Sequence, residues 1–385
     1  MTSRIDWVAD SCRLLTAISA EFAATQPFAG LTIGTGIHLE PKTAALVMTL
    51  ARGGARVVAT GNLNTTQQET VDYLREHGVD VIGGPTSDPA QHDRDLRELI
   101  AVKPDLLLDN GGDLFARYLE KPWAGLLGGT EETTSGRVRL APLRDKLNLP
   151  VLVINDSPIK QFAENRHAVG QSVFESYLRL TNRSTGGKRI VVFGYGSCGQ
   201  GVAANFRNAY GLVTVIDTDP VKRLEACLDG FDVSDRDAAL RSADVVITVT
   251  GARDILLADD LPLLKDDVVL LNAGHFPLEI DAPALLAHPD VERVTDAAEG
   301  LQTLRTRDGR RIHLATGGHM ANLAGPRPLG NSIESMDLGF ALQARCLEAI
   351  ALGRVAATDV VVPVPRLIDE AVASGYLELV AGVRG

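Results

Sequence analysis

Aromatic side chains are scarce in this chain, where Phe, Trp and Tyr together make up 5% of 385 residues. Cysteine is scarcer still: Cys12, Cys198, Cys227 and Cys346 are scattered, with no C-x-x-C pair. Such spacing argues against a disulfide framework and a zinc site, and it fits reduced thiols in a cytoplasmic protein with no metal. Basic charge is also short. Lys and Arg number 38 against 49 Asp and Glu, a formal net charge of −11, which excludes the basic face that nucleic acid requires. No apolar run approaches the ~20 residues that cross a bilayer, and MTSRIDWVADS lacks the apolar stretch of a signal peptide. What remains, 45% hydrophobic and 23% charged, is a soluble globular composition, long enough for two or three domains.

Helical patterning opens the chain in WVADSCRLLTAISAEFA. Short apolar runs then alternate with helical ones: LTIGTGIH leads into TAALVMTLARGG, and ARVVATGN into QQETVDYLREHG. VDVIGG, PDLLLDNGG and LPVLVIND follow at similar spacing, and a second series runs through KRIVVFGYG, LVTVIDTD, ADVVITVTG and DVVLLNAGH. This alternation predicts βαβ units and hence an α/β fold with two doubly wound parallel-sheet domains. The join falls near Pro158 to Glu175, and VVVPVPRLIDEAVASGYLEL reads as a short, proline-punctuated tail that turns helical.

The second series begins at a glycine turn. VVFGYGSCGQG matches G-x-G-x-x-G at Gly194, Gly196 and Gly199, with a strand before it and a helical run after it. In a dinucleotide fold the first glycine permits the tight turn, the second admits the pyrophosphate, and the third lets helix and strand pack closely. The helix N-terminus then meets the phosphates with unsatisfied N–H groups. Asp217 ends the next strand, where a carboxylate can accept from the ribose 2′-OH and favour NAD over its phosphorylated form. The motif sits in mid-chain, so something large precedes it.

Four polar segments fall at strand ends in that preceding half, where open α/β sheets bind ligands. GIHLEPK carries His38, Glu40 and Lys42; DNGGD spans Asp109 to Asp113, with Asn110 second. GGTEETTSG carries Glu132, Thr133, Thr134 and Ser135, and NDSPIKQFAENRH carries Lys160, Glu164 and Asn165. Any one of them could be a turn or a helix cap; together they mark the first domain as the substrate domain. His275, in LLNAGHFPLEID, follows a strand of the second domain and could be a satisfied core residue or face a nicotinamide.

These segments, in this order, resemble the S-adenosylhomocysteine hydrolase family over most of the chain. NDSPIK resembles the family's NDSVTK, EETTSG its EETTTG, DNGGDL its DDGGDL, GYGSCGQG its GYGDVGKG, and GHFPLEID its GHFDVEID. ENRHAVGQS resembles the DNRYGTGQS of some members. The resemblance implies a substrate domain over residues 1–157, completed by about 332–358, around an inserted Rossmann NAD domain over 171–330, with residues 359–385 as a tail. It implies NAD that oxidises the 3′-hydroxyl of a nucleoside, loss of the acidified C4′ hydrogen, departure of the 5′ group, addition of water and return of the hydride. By the same resemblance Lys160 handles the 3′-hydroxyl proton, Glu132 binds the ribose hydroxyls, His38 lies near the 5′ position and His275 near the 3′ region. Thr133, Thr134, Ser135, Asn165, Asp217, Thr250 and Asn322 match cofactor contacts, and Met336 matches a residue that packs on the adenine. A homo-oligomer, dimer or tetramer, is implied as well.

The departures are local. Asn110 stands where the family has the second aspartate of DDGGD, and an amide cannot take a proton. Glu164 replaces an aspartate, Val169 a cysteine or threonine, Glu40 and Lys42 a threonine and a glutamate on the adenine side, and Asn331 the histidine of GHP. The family's KPDHYRY-type tail does not follow, so NAD is expected to exchange more readily. The redox machinery is thus kept while substrate handling is altered, with Glu40 expected to supply the carboxylate missing at 110. The activity expected is a redox-neutral nucleoside 4′,5′-dehydratase acting on an adenine-based nucleoside. Its alternatives are an S-adenosylhomocysteine hydrolase and a catalytically silent NAD-binding regulator.

Overall fold

The two series of apolar runs become two sheets, each with its own helices and core. The computed structural model describes residues 3–275, 277–380 and 382. The chain divides into a first unit, Met1–Gln161 with Ile333–Gly385, and a second, Phe162–Ser332.

In the first unit the strands are β1 (Thr32–Gly36), β2 (Arg56–Thr60), β3 (Asp80–Ile82), β4 (Leu106–Asp109), β5 (Gly128–Glu131) and β6 (Val151–Val153). The second unit holds β7 (Arg189–Phe193), β8 (Leu212–Ile216), β9 (Asp232–Val233), β10 (Val245–Thr248), β11 (Val268–Asn272), β12 (Val291–Ala298), β13 (Leu301–Thr306) and β14 (Arg311–Ala315). A final strand, β15 (Val360–Pro363), returns to the first sheet. The first sheet is seven-stranded and wholly parallel, in the order β15-β6-β5-β4-β1-β2-β3. Leu106, Leu107 and Leu108 of β4 are fully buried, as strands covered on both faces must be.

The second sheet is eight-stranded, β12-β13-β14-β11-β10-β7-β8-β9. Its alternation shows in the core: Ile190 and Val192 of β7 pack on one face, Val191 and Phe193 on the other. The β12–β13 and β13–β14 pairs are antiparallel, a departure from a purely parallel sheet. Sequence reading passed over this hairpin because β12 is polar and largely exposed, without the apolar run of a central strand.

The tail is a second departure. β15 pairs in parallel with β6 as the sheet's edge strand, and the Arg366–Leu379 helix follows it. The segment expected to stand apart as residues 359–385 therefore belongs to the first unit, drawn in by the apolar run VVVP. Part of it, Ala381 and residues 383–385, lies outside the described residues. Among the described residues no helix is long and apolar enough to cross a membrane.

Candidate active site

In the first sheet the strand order reverses at β1 and β4, and the carboxyl ends around that switch point deliver the polar side chains. Glu132, just past β5, is buried, and its Oε1 lies 3.1 Å from Lys160 Nζ. Its Oε2 accepts from Asn110 Nδ2 at 2.9 Å, and Asn110 Oδ1 in turn accepts from Asn62 Nδ2 at 2.9 Å. A carboxylate can only accept, so Glu132 fixes which way the Asn110 amide points. Burial works against the charge on Glu132. Lys160, Asn110 and His38 outweigh it and leave the carboxyl below its ordinary range.

His38 follows β1, with Nδ1 2.6 Å from Thr65 Oγ1. The Thr65 hydroxyl lies 3.3 Å from the Asn62 carbonyl and donates to it, so it accepts from Nδ1–H. In the neutral ring the proton then sits on Nδ1, and Nε2 is the acceptor nitrogen. Glu40 is the N-cap of the Pro41–Arg52 helix, with Pro41 in the first turn. Its Oε2 lies 2.8 Å from Lys42 Nζ, and both residues are buried. The expectation that Glu40 replaces the carboxylate lost at 110 is not what these contacts describe. Glu40 is tied to Lys42, while Asn110 is tied to Asn62 and Glu132.

Two further carboxylates hold these loops in shape. Asp109 accepts from the backbone N–H of Asn110, Asp113 and Phe115 at 2.9, 3.1 and 2.9 Å. Glu131 accepts from the N–H of Gly111, Gly112 and Thr133 and from the Thr133 hydroxyl. Burial raises the pKa of both, helped by Asp113 at Asp109 and by Asp109 at Glu131. In each motif the first acid ties the loop and the next residue, Asn110 or Glu132, faces the network. Thr133 caps the Thr134–Leu140 helix through Gly136 N–H, Ser135 Oγ lies 3.0 Å from its hydroxyl, and Thr134 is exposed. Met336 is buried near the start of the Ile333–Ala351 helix. Lys160 opens a wide π-helical turn, Lys160–Ala168, a form that recurs at functional sites.

In the second unit β7 runs into the Ser197–Asn208 helix, with Gly196 as its N-cap. Gly194 has φ +100°, and a Cβ there would stand 2.8 Å from the Val249 carbonyl oxygen. At Gly199 a Cβ would stand 2.0 Å from the Gly194 carbonyl oxygen, so only glycine lets the helix approach. Beside Gly196 a Cβ would meet nothing within 4 Å, which leaves room over the turn for a diphosphate. Asp217 directly follows β8, its carboxylate fixed by Tyr195 N–H at 2.7 Å and Asp219 N–H at 2.9 Å.

Thr250 is exposed on the loop after β10, its N–H and hydroxyl held by Glu279, which also accepts from Gly251 N–H at 2.7 Å. Burial raises the pKa of Glu279 against these donors. Asn322 is buried, donates to Ser172 Oγ at 3.0 Å, and leaves Oδ1 without a partner among the described residues. That oxygen could accept from the carboxamide of a nicotinamide. Glycine turn, terminal acid and waiting amide fit NAD. Ser172 also reaches Asn331 Oδ1 at 3.2 Å, and Asn331 Nδ2 lies 3.4 Å from Glu164 Oε1. Asn165 and His275 are half-buried, His275 in the loop after β11.

Within the first unit the structure thus joins Lys160, Glu132 and Asn110, with His38 beside them, and keeps Glu40 with Lys42. Asn62, Thr65, Asp109 and Glu131 complete this frame. Sequence reading missed their roles, although Asp109 and Glu131 lie inside quoted motifs and the buried strand ends that carry them were the available signal.

Comparison with known proteins agrees with this geometry. Residues 4–123 match the family described as S-adenosyl-L-homocysteine hydrolase, and residues 165–327 its NAD binding domain. S-inosyl-L-homocysteine hydrolase of Methanopyrus kandleri is 39% identical over 97% of this chain and 89% of that protein. The adenosylhomocysteinase of Thermotoga maritima is 38% identical over 97% of this chain and 93% of its own length. Among solved structures, a dipicolinate synthase from Bacillus halodurans aligns with TM-score 0.50 at 13% identity, over 84% of this chain and 99% of that one, a likeness of fold alone. The cofactor is NAD, and the chain is an NAD-dependent enzyme belonging to the S-adenosyl-L-homocysteine hydrolase family.

Proposed function

We propose that this enzyme removes the 5′-hydroxyl of a purine nucleoside as water, a redox-neutral 4′,5′-dehydration. The observation that carries the reading is the amide at residue 110, locked between Asn62 and Glu132. A carboxylate in its place would lie against Glu132 and compete with it for a proton. The amide instead donates, and Glu132 stays charged beside Lys160.

Bound NAD supplies a hydride acceptor at C3′ at the start and the donor at the end. Lys160, as the neutral amine, takes the 3′-hydroxyl proton as the ketone forms, becomes the ammonium beside Glu132, and returns the proton when the alcohol is restored. Glu132 accepts from the ribose hydroxyls and orients the sugar. The ketone acidifies the C4′ hydrogen, which leaves to a base other than residue 110. Hydroxide is a poor leaving group, and His38, through Nε2, protonates the 5′ oxygen so that water departs. A hydrolase must also return a proton to C4′ when water adds. Stopping after elimination dispenses with that step, as loss of a proton-transferring carboxylate allows. The buried Glu40–Lys42 pair offers an acceptor and a donor to the edge of the base, and Met336 an apolar contact to its face. Thr133, Thr134, Ser135, Asn165, Thr250 and Asn322 serve the cofactor, His275 and Glu164 the sugar side, and Asn331 acts through Glu164.

A second reading, hydrolysis of S-inosyl- or S-adenosylhomocysteine, is favoured by the names of the near-full-length relatives. Mass spectrometry of products from NAD-loaded enzyme separates the two. A nucleoside lighter by one water supports dehydration. Homocysteine released from either thioether, with unmodified 5′-hydroxyl nucleosides, overturns it in favour of hydrolysis. No nucleoside-dependent reduction of bound NAD would rule out both and leave a silent NAD-binding regulator.

A further inference from the structure

Ser157 is completely buried between β6 and Lys160, and its hydroxyl makes three contacts. Its proton goes to Asp369 Oδ1 on the Arg366–Leu379 helix, at 2.5 Å. Its oxygen receives the backbone N–H of Ile159 at 3.1 Å and, at 3.5 Å, that of Lys160. Ser157 has extended backbone angles, so it caps the turn that Lys160 enters, and the first-turn N–H groups of Ile159 and Lys160 point at its hydroxyl. A hydroxyl has one proton and two lone pairs. Committing the proton to Asp369 turns both lone pairs toward the two N–H groups. Asp369 is itself 4% exposed.

The neighbouring backbone is built to the same end. β15 lies along β6 with a register shift between Val360 and Val362, and Val361 between them has φ +53°. A β-branched residue in that region is held there only by its surroundings. The bulge lets the strand pair with β6 and still lead the chain into the helix that presents Asp369.

We infer that Asp369 is a positioning residue for Lys160: acting through the Ser157 hydroxyl, it fixes the backbone turn from which the lysine reaches Glu132. The C-terminal segment thereby takes part in the proton-handling step without touching substrate. The inference rests on the reading of Lys160 given above.

The test follows nucleoside-dependent reduction of bound NAD in single turnovers of the full-length holoenzyme, by the absorbance of reduced nicotinamide. Asp369→Ala should slow reduction about 10- to 100-fold, the scale on which small displacements of a reacting group act, with substrate KM changed less than about threefold. Asp369→Asn keeps an oxygen for the Ser157 hydroxyl and should recover most of the rate, and Ser157→Ala should match Asp369→Ala. The Ser157→Ala/Asp369→Ala double variant should be no slower than either single within about twofold, since both act through one contact. Multiplying effects in the double variant, or an Asp369→Ala enzyme that reduces NAD at the wild-type rate, would overturn the inference. Should Asp369→Ala fold poorly, Asp369→Asn against Ser157→Ala decides: equal losses in both would also overturn it. A wild-type enzyme that shows no nucleoside-dependent reduction defeats the functional reading, and the assignment with it.

Discussion

In the first unit the strands run β3-β2-β1-β4-β5-β6 across the switch point, and in the second unit β9-β8-β7-β10-β11-β14 repeat that order. The carboxyl ends of the two sheets are furnished differently. The first presents charged side chains in buried pairs, Lys160 with Glu132 and Glu40 with Lys42. The second presents glycines, backbone N–H groups and, among the described residues, the orphaned amide oxygen of Asn322. Topology places both sites at strand ends; the residues there decide whether the site grips phosphates or handles protons. Both units hold their loops the same way, with buried carboxylates accepting backbone N–H groups: Asp109 and Glu131 in one, Glu279 in the other.

The division of labour can be broken from either side. Lys160→Ala should lower nucleoside-dependent NAD reduction by about a thousandfold, within the range of lost general acid–base catalysis. NAD content after desalting should not change, and a parallel loss of cofactor would show that the units do not divide the work in this way. Gly199→Ala attacks the other side. A Cβ against the Gly194 carbonyl should weaken NAD binding by about 10- to 100-fold, as 1–3 kcal/mol of overpacking implies. Nucleoside binding measured by calorimetry should be spared.

Asn110→Asp sharpens the comparison within the first site. Glu132 now sits below its ordinary range, so its charge is present at neutral pH and is lost only as pH falls through that lowered value. A second carboxylate in contact raises the pKa of one member of the pair. The acid limb of the NAD-reduction profile should move to higher pH, with a loss of about tenfold at neutrality. An unmoved limb would mean that residue 110 does not govern the charge on Glu132. The smallest effect is expected at Asp217. Asp217→Asn should cost NAD about tenfold in affinity, the scale of a hydrogen bond to a charged group, while changing NADP binding less.

Much of this was legible beforehand because strand ends announce themselves. An apolar run that stops at Asp109 or Asp217 places those acids at an edge, and the glycine spacing after β7 permits few other uses. Partner choice was not legible. Glu40 and Asn110 lie in quoted motifs, yet only the fold shows that Lys42 claims one and Asn62 with Glu132 the other. The antiparallel β12 escaped because a polar, largely exposed strand carries little periodic signal, and β13 escaped with it. β15 escaped for another reason: its partner lies far away in sequence, and no local pattern reports a pairing of that range.

That long-range pairing bears on how the chain is made. The second unit is one uninterrupted segment, Phe162–Ser332, and can close its sheet once that segment has left the ribosome. The first unit cannot. β6 is synthesised before the whole insertion, and β15, which caps its exposed edge, comes after it. Until then β6 presents an unpaired strand edge of the kind that recruits the wrong partner. Yield during expression should therefore respond more to truncations before Asp369 than to changes inside the NAD-binding unit, and a pulse-labelled nascent chain should gain protection in the second unit first.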